Sequence, residues 1–385
     1  MSLTQPTQGF IFWPVGTGDS STVRIAEDVY LQIDIRHMSK SEDDEDAAWP
    51  IIDHLEEILP AVNGRPYLST FALTHPDQDH CQGFEDLLER VDIGEIWLSP
   101  RTFREYQENE NLCEDAEAFH DEALRRVKAT IAAGGDPGPG DRVRIIGYDY
   151  LLKEETYQGF PEEFFSVPGH EITVVDGIEH SDHFRAFVHA PFLDDSYGER
   201  NDCSLAFQIS VSNGAGIGKF LVLGDLKYPI LRRIFSVSEE DDLHWNVLLA
   251  PHHCSKSAMY WKNEDEENEQ LKQDILDDMA NTALTPGYVI SSSSPVPSTN
   301  QAGDNPPHAK AKQQYLRIVP NDFLCTHEHP NEEEPVPIVF EVAADGLKYL
   351  GSATTATASL EESVNSAQGS NVTPAAAVGF GRAAK

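Results

Sequence analysis

The sequence predicts a layered α/β fold, in which helices cover β-sheets on their outer faces. Short apolar runs with the length of strands alternate along the 385 residues with segments whose apolar residues have helical spacing. Hydrophobic residues make up 40% of the chain and charged residues 24%, a balance that suits an ordinary globular core. The order is strands, helix, strands, helical segment, strands, helix, strand, helix, which is typical of packed sheet layers with helices outside.

The N-terminal part is predicted to be mainly β-structure, with two helices among the strands. The strands are apolar runs bounded by turn-forming or acidic residues, and they cover 10–16, 21–26, 29–35, 67–75 and 93–99. Helical spacing predicts helices over 49–59 and 83–91. The segment 16–20, Gly-Thr-Gly-Asp-Ser, is a tight glycine turn. No helix clearly follows this turn, so a dinucleotide-binding fingerprint is not indicated.

A helical insertion is predicted at about 100–140, because residues 103–132 are rich in Glu and Ala, lack Pro and precede a Gly-Pro breaker. Further strands are predicted at 142–149, 171–177, 203–211, 219–225, 245–253 and 287–293, with helices at 268–280 and 308–318. The strands at 203–211 and 219–225 suit a hairpin around an Asn-Gly turn. Residues 1–351 then form one domain, and the Ala-, Ser- and Thr-rich residues 352–385 form a disordered tail.

Charge restricts the class of partner. Asp and Glu number 65 against 28 Lys and Arg, and the net charge is −37. Broad binding to duplex nucleic acid is disfavoured, because it relies on Lys and Arg displacing counterions. A local pocket for a small anionic substrate or a short nucleic-acid end is still compatible with this charge. The acidic surface and the helical insertion are candidate docking elements for protein partners.

Hydropathy and cysteine use predict a soluble cytoplasmic protein that does not engage a membrane. No stretch approaches the roughly 20 continuous apolar residues of a membrane span. The first ten residues lack the basic and apolar parts of a signal peptide. The five cysteines are scattered and contain no CxxC pair, so neither a disulfide framework nor a thiolate zinc site is expected.

Several apolar strands are followed directly by side chains that can bind a cation. These are Asp34, the run His75-Pro76-Asp77-Gln78-Asp79-His80, Asp225 and the pair His252-His253. Ligands at strand ends suit an active-site rim, because a rigid sheet holds their positions. Imidazole and carboxylate together suit Zn, Mn or Fe. The six-residue run alone is also compatible with a polar turn, and the further strand ends favour a metal site.

The motifs that carry these residues resemble those of the metallo-β-lactamase superfamily. "THPDQDH", followed by a glycine, resembles the signature H-x-[HD]-x-D-H, and "VGTGDSSTVRI" with "YLQIDI" resembles the opening hairpin and first motif. "NDCSLAFQI", "KFLVLGD" and "LLAPHHCSKSA" are similar to the subgroup typified by the hydrolase domain of the competence protein ComEC. The similarity runs with gaps from about Phe10 to Tyr349. It implies an αββα four-layer sandwich with metals at one sheet edge.

The resemblance also implies the ligands of two divalent ions. His75 and Asp77 would hold the first ion, Asp79 and His80 would hold the second, and Asp225 would bridge them. His253 would complete the second site, although the sequence does not decide between His253 and its neighbour His252. Zn is the first expectation. Mn or Fe are alternatives, because Asp77 stands where a histidine is commoner and carboxylates favour harder ions.

Further roles follow from the same resemblance. His252 would face the substrate, and Lys256 could meet an anionic group on it, although Lys256 is equally compatible with an ordinary surface lysine. Asp79 is a catalytic candidate as well as a ligand. Asp34 would orient the His75–His80 run through hydrogen bonds, and Asn201 stands where the commonest superfamily motif supplies another histidine.

The expected reaction is metal-assisted hydrolysis, in which a hydroxide held between two ions attacks phosphorus or a carbonyl. The subgroup implies a phosphodiester substrate, such as a nucleotide or a nucleic-acid-like molecule. Two alternatives stay open. One is a thioester or amide hydrolase of the same fold, and the other is a non-catalytic metal-binding scaffold in a larger complex.

Overall fold

Two mixed β-sheets lie face to face, and helices cover the outer face of each sheet. The predicted αββα four-layer sandwich is therefore confirmed. The computed structural model describes residues 5–38, 49–100, 103, 112–192, 200–300 and 305–351. The predicted tail at 352–385 lies outside these residues, as does part of the predicted insertion, so the proposed domain boundaries stay predictions.

The elements that the structure describes are as follows. The strands are β1 (Gly9–Phe12), β2 (Ser21–Ala26), β3 (Val29–Ile33), β4 (Ala61–Val62), β5 (Arg65–Ala72), β6 (Asp92–Leu98), β7 (Arg142–Ile146), β8 (Phe165–Ser166), β9 (Glu171–Ile172), β10 (Val174–Val175), β11 (Ile178–Glu179), β12 (Phe184–Ala190), β13 (Ala206–Ser212), β14 (Ile217–Val222), β15 (Trp245–Leu249), β16 (Tyr260–Trp261), β17 (Gln270–Leu271), β18 (Ala283–Ser291), β19 (Phe323–Cys325), β20 (Ile338–Ala343) and β21 (Gly346–Tyr349). The helices are α1 (Ile51–Ile58), α2 (Gln78–Cys81), α3 (Phe84–Arg90), α4 (Glu114–Ala133), α5 (Tyr228–Val237), α6 (Glu240–Leu243), α7 (Gln273–Asn281) and α8 (Ala309–Ile318).

Among the described residues, the first sheet has the strand order β21-β20-β1-β2-β3-β5-β6-β7-β8, with β4 beside β5. The second sheet has the order β19-β18-β15-β14-β13-β12-β9. Each sheet mixes antiparallel hairpins with parallel neighbours, and the parallel pairs include β3 with β5 and β14 with β15. Two small ribbons, β10 with β11 and β16 with β17, lie outside the two sheets.

The core between the sheets consists of alternate side chains that point inward from each sheet. The rings of Phe12 in β1 and Phe220 in β14 meet edge to face with centroids 5.0 Å apart. Phe10 meets the same Phe220 ring at 5.4 Å. These contacts join the two sheets directly, because β1 belongs to the first sheet and β14 to the second.

The outer layers form where amphipathic helices bury their apolar faces on the sheets. Phe71 of β5 packs against Phe84 of α3 and Phe119 of α4, with centroid distances of 5.1 and 5.8 Å. On the second sheet, buried residues of α5, α7 and α8 form the corresponding layer, among them Ile234 and Met279. No helix in the described ranges has both the length and the apolar content needed to cross a bilayer.

Two predicted elements differ from the structure. The strand expected at 171–177 is divided into β9 and β10, because Asp176 and Gly177, with φ of 48° and 73°, turn the chain into the ribbon with β11. The helix expected at 268–280 begins only at Gln273, because Gln270 and Leu271 pair with β16. The other strands and helices predicted in the described ranges are present, with shifted ends.

Candidate metal centre

The site forms where loops from both sheets meet. Strands β3 and β5 are parallel neighbours, so Asp34 and the run from His75 to His80 emerge at the same edge of the first sheet. Strands β14 and β15 are parallel neighbours in the second sheet, and they present Asp225 and the turn Pro251–Cys254. The glycine turn between β1 and β2 adds Asp19 to the same place.

Two histidines face each other at the centre of the site. The Nε2 atoms of His80 and His253 are 3.2 Å apart, and both side chains are buried. The Asp225 carboxylate reaches to 3.3 Å from His80 Nε2, and the Asp79 carboxylate reaches to 3.2 Å from His253 Nε2. Two imidazole nitrogens and two carboxylates therefore converge on one small volume.

The opposite nitrogens of the same rings are held by oxygen acceptors. His80 Nδ1 donates to the Asp34 carboxylate at 2.7 Å. His253 Nδ1 lies 3.2 Å from the Ser292 carbonyl and 3.3 Å from the Asp19 carboxylate. A carbonyl or an ionised carboxylate only accepts hydrogen bonds, so each Nδ1 carries the proton. When each ring carries only this one proton, both facing Nε2 atoms present lone pairs to each other.

His75 has the same tautomer for a related reason. Thr74 donates its hydroxyl proton to Asp34 at 2.6 Å, so its oxygen accepts from His75 Nδ1 at 3.2 Å. His75 Nε2 is buried and has no hydrogen-bond partner among the described residues. This lone pair lies 3.5 Å from the Asp77 carboxylate and 3.7 Å from that of Asp225. A buried, unpaired imidazole nitrogen beside two carboxylates is what a metal ligand requires.

Asp225 lies between two groups of donors. Its Oδ1 is next to His80, while its Oδ2 is 3.4 Å from His252 Nε2 and 3.7 Å from His75 Nε2. The donors Asp19, His80, Asp225 and His253 lie within 4.8 Å of one another and can hold a metal ion. Asp19 is on the Nδ1 side of His253, so its carboxylate also orients that ring in the way that Asp34 orients His80.

The histidines and carboxylates of the site shift one another's pKa values. Burial disfavours charge on His80 and His253, but the neighbouring carboxylates raise both pKa values, that of His253 to about 10. Burial also opposes ionisation of Asp225 and Asp79, but the nearby histidines hold both pKa values below their usual range. Burial lowers the pKa of His252. The carboxylates therefore make the centre attractive to positive charge.

The backbone of the His252–Cys254 turn decides which histidine points inward. His252, His253 and Cys254 have φ of 51°, 53° and 66°, a left-handed conformation that is rare for three successive residues other than glycine. Strain of this kind is typical of functional sites, where the surrounding structure imposes it. The side chain of His253 is 1% exposed and that of His252 is 21% exposed. His253 thus belongs to the buried group, while His252 reaches the surface of the site.

A close backbone approach holds the glycine turn against the loop of metal donors. The Asp19 N–H donates to the Asp79 carbonyl at 3.1 Å. A Cβ on Gly18 would lie 2.6 Å from the same carbonyl oxygen and 2.4 Å from the Arg36 side chain. Only glycine fits at position 18, because any larger residue would push the turn away from the loop that carries Asp79. Asp19 was not predicted from the sequence as a site residue. The feature that could have indicated it is its carboxylate, which comes directly after Gly18 in the turn.

The structure thus brings together the predicted side chains of Asp34, His75, Asp77, Asp79, His80, Asp225, His252 and His253. Lys256 lies on a short 3₁₀ turn, Lys256–Ala258, and shares a cavity with His252. The side chain of Asn201 lies outside the described part of the structure, so its role stays a prediction.

No protein-family model matches the chain, and no curated protein matches it in sequence. Among solved structures, the chain is similar to YhfI, a metallo-β-lactamase fold protein from Bacillus subtilis, at 9% identity and a TM-score of 0.36, over 82% of this chain and 95% of YhfI. It is also similar to Zn²⁺-bound PqqB from Methylobacterium extorquens, at 9% identity and a TM-score of 0.35, over 84% of this chain and 87% of PqqB. A third is BJP-1, a subclass B3 metallo-β-lactamase of Bradyrhizobium japonicum, at 14% identity and a TM-score of 0.32, over 72% of this chain and 89% of BJP-1. Likeness at this level assigns neither an activity nor a substrate.

Proposed function

We propose that this chain is a metal-dependent hydrolase. The observation that carries the proposal is the facing pair of His80 and His253, whose Nε2 atoms are 3.2 Å apart while each Nδ1 is bound by an acceptor. Two lone pairs so close repel each other unless a cation or a proton lies between them. The unpaired Nε2 of His75 is a third buried donor in the same centre.

The donor set is sufficient for two ions. His75, Asp77 and Asp225 would hold one, and Asp79, His80, Asp225 and His253 would hold the other. This dinuclear arrangement is part of the proposal, and it is supported by the position of Asp225 between the two groups. Mixed imidazole and carboxylate donors suit Zn first, with Mn and Fe as alternatives. When bound, such ions polarise the scissile group and lower the pKa of coordinated water towards neutrality.

The chain's own residues orient this centre and face the substrate. Asp34 binds three donors, the Thr74 N–H, the Thr74 hydroxyl and His80 Nδ1, and so fixes the His75–His80 run. Asp19 and the Ser292 carbonyl do the same for His253. His252 is half-buried at the rim of the centre and also lines the adjoining cavity. It can exchange a proton with substrate there, because its lowered pKa favours neutral imidazole.

For the substrate, we propose a phosphodiester. The carboxylate-rich donor set and the lysine at the rim, Lys256, suit an anionic phosphoryl group. A thioester or amide substrate is the alternative within the same chemistry. A non-catalytic metal-binding scaffold is the other alternative, and turnover rather than metal uptake separates it from the hydrolase.

The test is metal uptake followed by a substrate panel. The full chain is stripped with a chelator, reloaded with Zn, Mn or Fe, and assayed for metal content and for hydrolysis of bis-p-nitrophenyl phosphate, a thioester and a β-lactam. We expect stoichiometric uptake and phosphodiester turnover that disappear in Asp225→Asn and persist in the exposed control Asp28→Asn. Uptake without turnover of any substrate would favour the scaffold, and absence of uptake would contradict the metal centre itself. Uptake with turnover of the thioester or β-lactam alone would replace the phosphodiester.

A further inference from the structure

A cavity of about 450 Å³ opens next to the candidate metal centre, and His252 belongs to both. This volume lies within the roughly 300–1,000 Å³ that is usual for small-molecule sites. Its other lining residues that matter here are Lys227, Lys256, Lys262 and the ribbon strand Tyr260–Trp261. We propose that the cavity binds a phosphate ester carrying a planar aromatic ring, with the phosphoryl group on the lysines and the ring against Trp261.

This inference rests on the proposed function, because it names the substrate class that the neighbouring metal centre would receive. It adds that the substrate carries an aromatic ring, which binding at a metal centre alone does not require. A hydrolase of simple phosphodiesters needs no aromatic surface, whereas this cavity supplies one beside its cationic groups.

Charge provides the first argument. The chain has 28 Lys and Arg among 385 residues and a net charge of −37, yet three lysines line this single cavity. Glu269 also lines it and pairs with Lys256 at 3.4 Å. A further lysine, Lys310 of α8, pairs with Glu269 as well. The three lysines that line the cavity therefore outnumber its one lining acid, and such a local group of cations suits an anion even in a chain of negative net charge.

The position of Lys256 provides the second argument. Its backbone N–H donates to His308 Nδ1 at 3.2 Å, and the His308 N–H donates to the Cys254 carbonyl at 3.1 Å. His308 therefore fixes the segment from the strained His252 turn to Lys256. The Lys256 backbone is thereby held four residues from His252, and the Lys256 side chain lines the cavity.

The aromatic ribbon provides the third argument. Tyr260 is held in place, because its hydroxyl accepts from Gln314 Nε2 at 3.1 Å and Lys310 Nζ lies 4.2 Å from its ring centroid. The next residue, Trp261, is only partly buried. Among the described residues, no aromatic ring or cation packs on the Trp261 ring. Pairing of β16 with β17 anchors the backbone that carries it. Trp261 thus offers an aromatic face on a rigid ribbon, and a planar ring can stack on it.

The test measures binding to the chelator-treated full chain, so it does not depend on turnover. The probes are adenosine 5′-monophosphate, phenyl phosphate, inorganic phosphate and adenosine, each titrated by calorimetry. We expect the two ring-bearing phosphates to bind more tightly than phosphate or adenosine alone. Trp261→Ala should weaken binding of the ring-bearing phosphates by about five- to a hundredfold, the range for loss of one stacked base, and leave phosphate unchanged. Trp261→Phe should retain most of the affinity, because it keeps a ring.

Lysine variants complete the test. Lys262→Gln should weaken all three phosphates and leave adenosine unaffected, whereas the matched control Lys348→Gln, which lies on β21, should change none. Equal losses of phosphate affinity in Lys262→Gln and Lys348→Gln would show that only the net charge of the chain matters, which would overturn the proposal. So would unchanged affinity in Trp261→Ala. A preference for adenosine 5′-monophosphate over phenyl phosphate would identify the ligand as a nucleotide, and equal affinity would identify it as any aryl phosphate.

Failure of this inference can be told apart from failure of the proposed function. If the metal-loaded chain hydrolyses bis-p-nitrophenyl phosphate but binds none of the ring-bearing probes, the cavity proposal is wrong and the hydrolase stands. If the probes bind as expected but no substrate is turned over with any metal, the hydrolase is wrong and the cavity remains a binding site.

Discussion

Nε2 of His80 lies 3.2 Å from Nε2 of His253, although the two residues are 173 positions apart in the chain. His80 follows a strand of the first sheet and His253 follows a strand of the second, so the contact joins the two halves of the sandwich. The Nδ1 atom of each ring contacts a carboxylate, that of Asp34 for His80 and that of Asp19 for His253. The candidate metal centre therefore depends on how the two sheets pack.

Replacing Asp34 tests the support of the metal donors. Asp34→Asn keeps the shape but cannot accept from Thr74 and His80 as a carboxylate does, so the His80 tautomer is no longer fixed. We expect metal affinity to fall by about 10- to 100-fold, the usual loss for such supporting residues. Competition with a coloured chelator measures it. Asp28→Asn, at an exposed position, is the control, and equal affinity in both variants would contradict the assigned role.

The glycine turn gives a second prediction, which concerns backbone geometry. In Gly18→Ala, the new Cβ would lie 2.6 Å from the Asp79 carbonyl oxygen, so the turn and the metal-donor loop must separate. We expect metal uptake to fall while far-ultraviolet circular dichroism stays unchanged. Gly135→Ala is the matched control, because nothing lies within 4 Å of its added Cβ. Normal uptake by Gly18→Ala would show that the contact is dispensable.

The buried His189 predicts a pH dependence of stability. Its ring is 2% exposed, accepts from Ser238 at 2.9 Å and donates to the Asp242 carbonyl at 3.0 Å, and burial lowers its pKa to about 4. The unfolded chain binds this proton near pH 6.5, so stability is present above that pH and is lost as pH falls towards 4. The contribution lost between pH 7.5 and pH 5 is about 2 kcal/mol.

Urea unfolding of the full chain at those two pH values measures this loss. His189→Gln should be less stable at pH 7.5, because it loses the fitted ring, but its stability should fall less towards pH 5. The exposed control His170→Gln should keep the wild-type pH dependence. A parallel fall in all three proteins would assign the effect to other groups.

Two cysteines next to the metal-donor loop predict a response to peroxide. Cys81 follows His80, and its Sγ lies 3.5 Å from Sγ of Cys113, the residue directly before helix α4. The contact with Cys81 lowers the pKa of Cys113 to about 7, which favours the reactive thiolate. Hydrogen peroxide should oxidise the two thiols to a disulfide, with loss of two hydrogens and formation of two waters.

Peptide mass mapping detects that bond, and Cys113→Ser should abolish it. We expect the oxidised chain to exchange the backbone hydrogens of the Gln78–Cys81 helix more slowly, because the bond ties this helix to α4. Cross-linking that persisted in Cys113→Ser, or that joined other cysteines, would contradict the prediction.

The sequence predicted most of the fold because local patterns carry it. Apolar runs of strand length and helical spacing predicted most of the elements, and the polar residues at the ends of β3, β5, β14 and β15 indicated the site. The differences at 171–177 and 268–280 have a common cause. Both segments pair with a neighbouring strand in a small ribbon, and such pairing overrides local periodicity.

By itself, the sequence indicated most of the candidate donors. It also determined that His75, Asp77, Asp79 and His80 lie together, because covalent connection places them within six positions. Only the tertiary structure decided that Asp19 supports His253, that His253 rather than His252 is buried, and that lysines gather beside a tryptophan. These outcomes depend on left-handed backbone angles and on contacts between distant segments. They follow from how the two sheets pack, and no local pattern of residues encodes them.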